Sequence, residues 1–180
     1  APLFGAWGGL GWLTGYPDGP PVEMRHAMDH SVGLHAAMAA VAALHRRRRT
    51  GEGSHVDVCA REVAAAAAGD ALLEAAAGGT PRRWGNAHPR MAPHGVYPAR
   101  DPDSWLTIAV GDERAWMGLL SVMDRRDLAT DPRFASEPAR HEARLALDAI
   151  VADWTRLQDA EDAAARLQQA GCAAHPSWDT

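Results

Sequence analysis

The stretch GYPDGPPVEMRHAMDHSVGLHAAMAAVAALHRRRRTGEGSHVDVC, residues 15–59, decides the fold. It opens on the turn formers Asp18-Gly19 and Pro20-Pro21 and changes at Asp29 to a helical texture. Leu34, Met38, Val41 and His45 recur at helical spacing among alanines, and Thr50-Gly51 closes the run. Small residues on several faces predict a tightly buried helix. Beyond it, His55-Val56-Asp57-Val58-Cys59 puts two β-branched residues on one face and reads as a short strand. An alanine-rich helix over residues 61–77 follows, ended by Gly78-Gly79. Helix, strand and helix in that order predict part of an α/β layered domain.

Residues 5–21 are dense in glycine, proline and aromatics and read as a loop packed by Trp7 and Trp12. After Pro81 the texture shifts to a loop rich in Gly, Pro and His over residues 85–93. Strands are expected at residues 95–97 and 105–110, joined through Asp101-Pro102-Asp103. Helices are expected at residues 113–123, 138–154 and 160–170, with a turn at residues 131–134 and Gly171 as a C-cap glycine. An extended piece begins at Ala173. The expected organisation is therefore two domains, residues 1–84 and 85–180.

The 180 residues are enough to bury a real core, and with 47% hydrophobic residues, 23% charged residues and a formal charge of -5 the chain is an ordinary globular one. That balance does not suggest a nucleic-acid partner. No apolar run approaches the roughly 18 to 20 residues that span a bilayer, so no membrane association is expected. Cys59 and Cys172 form no CxxC pair, which argues against a disulfide framework or a cysteine zinc site and for a reducing cytoplasm. The start, Ala1-Pro2-Leu3-Phe4, lacks Met and reads as a segment of a longer protein.

Asp29 stands where a proline-rich loop meets a helix N-terminus. Its local pattern is that of an N-cap, accepting hydrogen bonds from free backbone N–H groups. A nucleophilic carboxylate is compatible with that place, because the positive end of the helix attracts negative charge. His26-Ala27-Met28-Asp29-His30 is also an HxxDH string, close to the HxxEH zinc pattern, so a zinc hydrolase using His26 and His30 is an alternative. Against it, Asp is a methylene shorter than Glu, no third ligand follows at a recognisable spacing, and His26 precedes the expected helix. Arg46 to Arg49 suit the last turn of a helix better than a phosphate grip. The nine histidines are scattered and read mostly as surface or capping residues.

Taken together, the ordered strings resemble the class III (CaiB/BaiF-type) CoA-transferases. They are Leu13-Thr14-Gly15-Tyr16-Pro17-Asp18-Gly19-Pro20-Pro21, Asp29-x-x-x-Gly33, Ala42-Ala43-Leu44, Arg48-Arg49-Thr50-Gly51-Glu52-Gly53 and Val56-Asp57-Val58. Further on, Gly85-Asn86-Ala87-His88-Pro89 with Ala92-Pro93, Trp105 to Val110, Trp116 and Leu128-Ala129-x-Asp131-Pro132-Arg133-Phe134 continue the likeness, as does Ala170 to Pro176. The resemblance covers nearly the whole chain and corresponds to the middle of a longer family member.

The resemblance implies an aspartate nucleophile, here Asp29, in a Rossmann-like large domain of which residues 1–84 would be a segment. It implies a smaller α/β domain over residues 85–180 and an interlocked homodimer. Gly33, Gly85, Asn86 and His88 become candidates for substrate or CoA loops. Coenzyme A would be present as an acyl-CoA substrate alongside a carboxylic acid, with no resident cofactor or metal. Much of the CoA pocket would lie N-terminal to this segment, so the segment alone is expected to be inactive. Ser54 stands where many members have Gln, and Cys59 where Ser is common. His88-Pro89-Arg90-Met91 replaces the glycine-rich active-site loop of formyl-CoA transferase, which counts against formate or oxalate as substrate.

An aspartate suits the chemistry of moving CoA between acids. Its attack on a thioester gives a mixed anhydride that keeps the acyl group activated, provided water is excluded. In the family the aspartate also passes through an aspartyl-CoA thioester. A racemase of the same superfamily, in which an aspartate and a histidine exchange an α-proton, is the second alternative. Racemases resembling this region carry a carboxylate in the hairpin where this chain has Pro98 and Ala99.

Overall fold

The computed structural model describes residues 2–22 and 27–178. The chain folds as two compact units, residues 1–85 and 86–180. Among the described residues helices combine with a small antiparallel sheet, in keeping with the expected α/β class.

The first unit is helical among its described residues. Two short helices, α1 (Pro2–Trp7) and α2 (Leu10–Leu13), occupy the stretch expected to be loop. The long helix α3 (Ala27–Thr50) follows, at 1.5 Å per residue roughly 36 Å in length. Its alanine-rich partner is broken at Ala68 into α4 (Ala60–Ala67) and α5 (Gly69–Ala76), where one continuous helix is expected from sequence. A small core joins Met28, Val63 and Ala64 to Phe4, Leu10, Val32 and Val58.

Three expectations fail here. Residues 55–59 form no strand, because a strand needs a laddered neighbour and none pairs with this segment among the described residues. Trp7 and Trp12 do not pack the loop: they are 73% and 61% exposed. The loop is held instead by Arg83, whose Nε donates to the Tyr16 carbonyl at 3.1 Å and whose second terminal nitrogen donates to the Gly19 carbonyl at 2.9 Å. The same guanidinium lies 4.7 Å from the centre of the Trp12 ring. Finally, α3 is not tightly buried, since Leu34, Met38 and Val41 are 71%, 65% and 54% exposed. The elements packed on α3 cover its N-terminal turns and leave this apolar row open.

The second unit carries the sheet. Strands β1 (His94–Pro98), β2 (Trp105–Ala109) and β3 (Ala173–Pro176) pair antiparallel in that order. Tyr97 faces Leu106 and Ile108 faces Ala174 across the ladders. Since side chains alternate along a strand, these four project to one face, and all four are buried. Against that face lie α6 (Glu113–Met123), α8 (Arg144–Thr155) and α9 (Ala160–Gln169), contributing Trp116, Leu119, Leu120, Leu147, Val151 and Leu167. Each such side chain contributes about 1.5–3 kcal/mol when fully buried.

Local chemistry sets the helix ends. Asp112 accepts from the Ala115 amide at 2.8 Å and starts α6 at the residue its sequence predicts. Asp159 caps α9 through the Glu161 and Asp162 amides, and Gly171 (φ +85°) ends it. The helix expected over residues 138–154 is two, α7 (Glu137–Glu142) and α8, divided at Ala143. Alanine carries no stop signal, so packing sets this break: Arg140 before it and Leu147 after it are both buried.

Candidate active site

Asp29 occupies the first turn of α3. It is not the N-cap, because the helix begins at Ala27, and a position inside the first turn places the carboxylate near the positive end of the helix. The neighbouring Met28 is 4% exposed, held by Val63 and Ala64, and so anchors the helix start. Asp29 itself is exposed to solvent. A carboxylate on an anchored helix end, open to an incoming molecule, has the access and fixed direction that a nucleophile needs.

Gly33 lies one turn beyond Asp29 on the same face, since residues four apart on a helix are neighbours. A Cβ at Gly33 would meet nothing within 4 Å, so no packing among the described residues demands glycine there. Its bare backbone leaves the helix surface beside Asp29 low. On the following turn Ser31 Oγ donates to the Ala27 carbonyl at 2.8 Å, and His35 Nδ1 donates to the Ser31 carbonyl at 2.8 Å.

Of the two histidines in the zinc reading, His30 is exposed on α3 and His26 lies outside the described residues. Among the described residues no group of three His, Cys, Asp or Glu side chains is placed to hold a metal ion. At the other end of α3, Arg46 donates to Ser54 Oγ at 2.6 Å and to Glu52 Oε2 at 2.9 Å. An open groove of about 770 Å³ runs between α3 and residues 51–58, lined by Ala36, Ala40, Arg47, Ser54 and Val56 among others.

The loop candidates stand on either side of the sequence boundary between the units. Gly85, the last residue of the first unit, has φ +60° and donates its amide to the Gly15 carbonyl at 3.1 Å. A Cβ there would stand 2.6 Å from the Tyr16 ring, so both the left-handed backbone and the contact require glycine.

Asn86 and His88 open the second unit and belong to a loop over residues 86–91, which the His88 side chain bends into a turn. His88 Nδ1 accepts from the Arg90 and Met91 amides at 3.1 and 3.2 Å. His94, at the start of β1, donates from Nδ1 to the Asn86 carbonyl at 2.7 Å. His141 of α7 donates from Nε2 to the His88 carbonyl at 3.2 Å. The rings of His88 and His94 stand 5.3 Å apart. Burial, then the positive fields of His94, Arg90 and His141, hold the His88 ring below the usual imidazole range.

The structure thus places Asp29 and Gly33 together on α3, and Asn86 and His88 together on the turn. Sequence reading found the turn but missed His94 and His141, treating the histidines as scattered. No spacing rule links residues 53 positions apart, as His88 and His141 are. Only the fold of α7 beside the turn brings them together.

Known proteins are similar along this whole arrangement. The family model of CoA-transferase family III matches residues 2–179. A succinyl-CoA–D-citramalate CoA-transferase from Chloroflexus aurantiacus is 38% identical over 152 residues, covering 83% of this chain and 38% of the relative. An acetyl-CoA:oxalate CoA-transferase from Acetobacter aceti is 33% identical over 177 residues, covering 97% of this chain and 45% of that protein. Among solved structures, a CAIB/BAIF family protein from Brucella suis superposes with a TM-score of 0.82 at 32% identity, over 98% of this chain and 47% of its own. The chain therefore spans less than half the length of these relatives. With the match running through the helix that bears Asp29, the turn that bears His88 and the sheet of the second unit, the chain belongs to CoA-transferase family III.

Proposed function

We propose that the intact protein transfers coenzyme A from an acyl-CoA to a second carboxylic acid, and that Asp29 is the covalent carrier. The observation that carries this reading is the solvent-open carboxylate of Asp29 in the first turn of an anchored helix, with bare Gly33 one turn on.

The chemistry follows from the carboxylate. An Asp29 oxygen attacks the thioester carbonyl carbon, the C–S bond breaks, and CoA leaves as thiolate with a mixed anhydride behind it. The thiolate then attacks the aspartyl carbonyl of that anhydride, forming an aspartyl-CoA thioester and releasing the first acid as carboxylate. The second acid's carboxylate attacks this thioester, again giving an anhydride and thiolate. Attack of the thiolate on the new acyl carbonyl gives the product acyl-CoA and restores Asp29. No redox partner is needed and no proton is consumed. Each intermediate is an anhydride or a thioester of Asp29 and so keeps the free energy of the starting thioester, which the site must protect from water.

In this reading residues 1–84 are a segment of the large domain, residues 85–180 are the small domain, and the turn over residues 86–91 belongs to the substrate pocket. The open apolar row of α3 supports its burial against further protein, as an interlocked homodimer would provide. Coenzyme A enters as substrate, a cytoplasmic location accompanies the unpaired Cys59 and Cys172, and the 180-residue chain alone is inactive. The test is chemical trapping. Intact protein incubated with acyl-CoA and then hydroxylamine should carry a hydroxamate at Asp29, read by peptide mass. A hydroxamate at another carboxylate, with Asp29 unmodified, would overturn the assignment.

A further inference from the structure

We propose that His94 and His141 are positioning residues for the turn over residues 86–91, and that this turn keeps its shape only while His88 is neutral with Nδ1 unprotonated. The effect on substrates rests on the proposed placing of this turn in the substrate pocket. The clamp itself does not.

The hydrogen bonds determine the protonation states. Two backbone amides, of Arg90 and Met91, point at His88 Nδ1. A nitrogen that accepts cannot carry a proton, so the neutral ring holds its hydrogen on Nε2. The other two histidines meet carbonyls and must donate: His94 Nδ1–H to Asn86 and His141 Nε2–H to His88. One ring closes the turn from within, and two rings from β1 and α7 fasten its first residues.

Protonating His88 would place an N–H against two N–H groups and break both bonds. The surrounding charges oppose it as well. His94 from β1, Arg90 from the turn and His141 from α7 all raise the positive field at the ring, while Asp148 of α8, with Arg144 beside it, faces His94. A depressed imidazole favours the folded turn above its ordinary value of 6.5 and loses that support as pH falls through the lowered one. The turn is therefore firm near neutrality and loosens in acid.

The experiment uses intact protein labelled with 15N at histidine and methionine, followed by NMR from about pH 8 to pH 5. The result expected is an unprotonated His88 Nδ1 near neutrality, a midpoint below about 6.5, and a Met91 amide shift that moves with the same midpoint. His88→Asn offers an oxygen in place of Nδ1, so the Met91 amide should stay in place and cease to titrate. His141→Ala and His94→Ala should raise KM for a substrate about fivefold, the worth of one hydrogen bond, with kcat nearly unchanged. His141→Gln and His94→Asn, which keep a donor at the corresponding position, should restore KM. A Met91 amide indifferent to His88 overturns the clamp. A titrating amide with KM unchanged in both alanine variants overturns the positioning role. Wild-type protein that transfers no CoA would defeat the proposed function instead, and the Met91 trace would still decide the clamp.

Discussion

The hydroxyl of Tyr97 donates a 2.6 Å hydrogen bond to Oδ1 of Asp148, tying β1 to α8. Burial, followed by the nearby carboxylate, pushes the Tyr97 phenol far above its usual range. Burial also pushes the Asp148 carboxyl up, and the Tyr97 hydrogen bond opposes that push, helped by Arg144 and His94.

Tyr97→Phe should therefore destabilise the protein by about 1–2 kcal/mol at neutral pH, because an ionised, half-buried carboxylate loses its donor. The sign with pH follows from the direction of the Asp148 shift. A raised carboxyl favours folding below its ordinary value and loses that contribution as pH rises through the raised one. The cost of Tyr97→Phe should shrink in acid, where Asp148 is protonated. Urea midpoints at about pH 7 and about pH 4 measure it. An equal cost at both would show that the bond does not depend on charge.

Arg140 offers a second test. Its side chain is buried, and it donates to Glu113 Oε1 at 2.5 Å and to the Phe134 carbonyl at 3.2 Å while lying 4.8 Å from the centre of the Trp116 ring. Its Nε has no hydrogen-bond partner among the described residues. Arg140→Ala should cost about 3 kcal/mol, since it opens a cavity beside Trp116 and leaves a buried carbonyl unpaired. Arg140→Met should cost less, because a similar volume is kept and a buried charge removed. Denaturant titrations of both variants order them, and a methionine variant weaker than the alanine one would refute the account.

A pair of glycines separates packing from propensity. At Gly118 in α6 a Cβ would collide with the Ala170 carbonyl oxygen at the end of α9, whereas at Gly33 it meets open space. Gly118→Ala should lose about 1–3 kcal/mol to overpacking. Gly33→Ala should gain up to about 1 kcal/mol from helix propensity. Thermal midpoints moving in opposite directions are the expected result. Gly33→Ala should also slow transfer if the helix surface beside Asp29 meets substrate.

The second unit was largely legible from sequence, because its signals are local and its core is complete among its own elements. Asp112 before an apolar helix, Asp159 before another and Gly171 after it each fix an end through a nearby backbone group. The alternation around Tyr97 and Leu106 likewise declares a buried sheet face. The first unit was less legible. Leu34, Met38 and Val41 report a helix face built to be covered but say nothing about what covers it. Residues 55–58 have strand texture without a strand to pair with among the described residues. At the candidate site, Asp29 was visible as a carboxylate at a helix start, while His94 and His141 were not, because their role depends on tertiary proximity and on which ring nitrogen faces which backbone group.

Substitutions at Asp29 separate the nucleophile from the helix start. Asp29→Asn in the intact protein keeps the size of an exposed side chain and removes its charge at the positive helix end, so the fold should survive with a loss of no more than about 0.3–1 kcal/mol. The amide nitrogen cannot attack a thioester as a carboxylate does, and no water can replace the carrier without hydrolysing the activated acyl group. Transfer should fall by well over a hundredfold, more than about 2.7 kcal/mol of barrier. Asp29→Ala should be as inactive, with the same loss of about 0.3–1 kcal/mol from the missing charge at the positive helix end. Glutamate is the sharper variant, because it retains the charge but extends the carboxylate by one methylene. Asp29→Glu should fold as wild type and still lose most of its rate, since a displacement near 1 Å at the reacting atom costs about a hundredfold. Initial rates of CoA exchange between two acids, measured beside circular dichroism for each variant, decide it. Transfer in Asp29→Asn above about a hundredth of the wild-type rate would make Asp29 a helix-end residue and move the chemistry elsewhere.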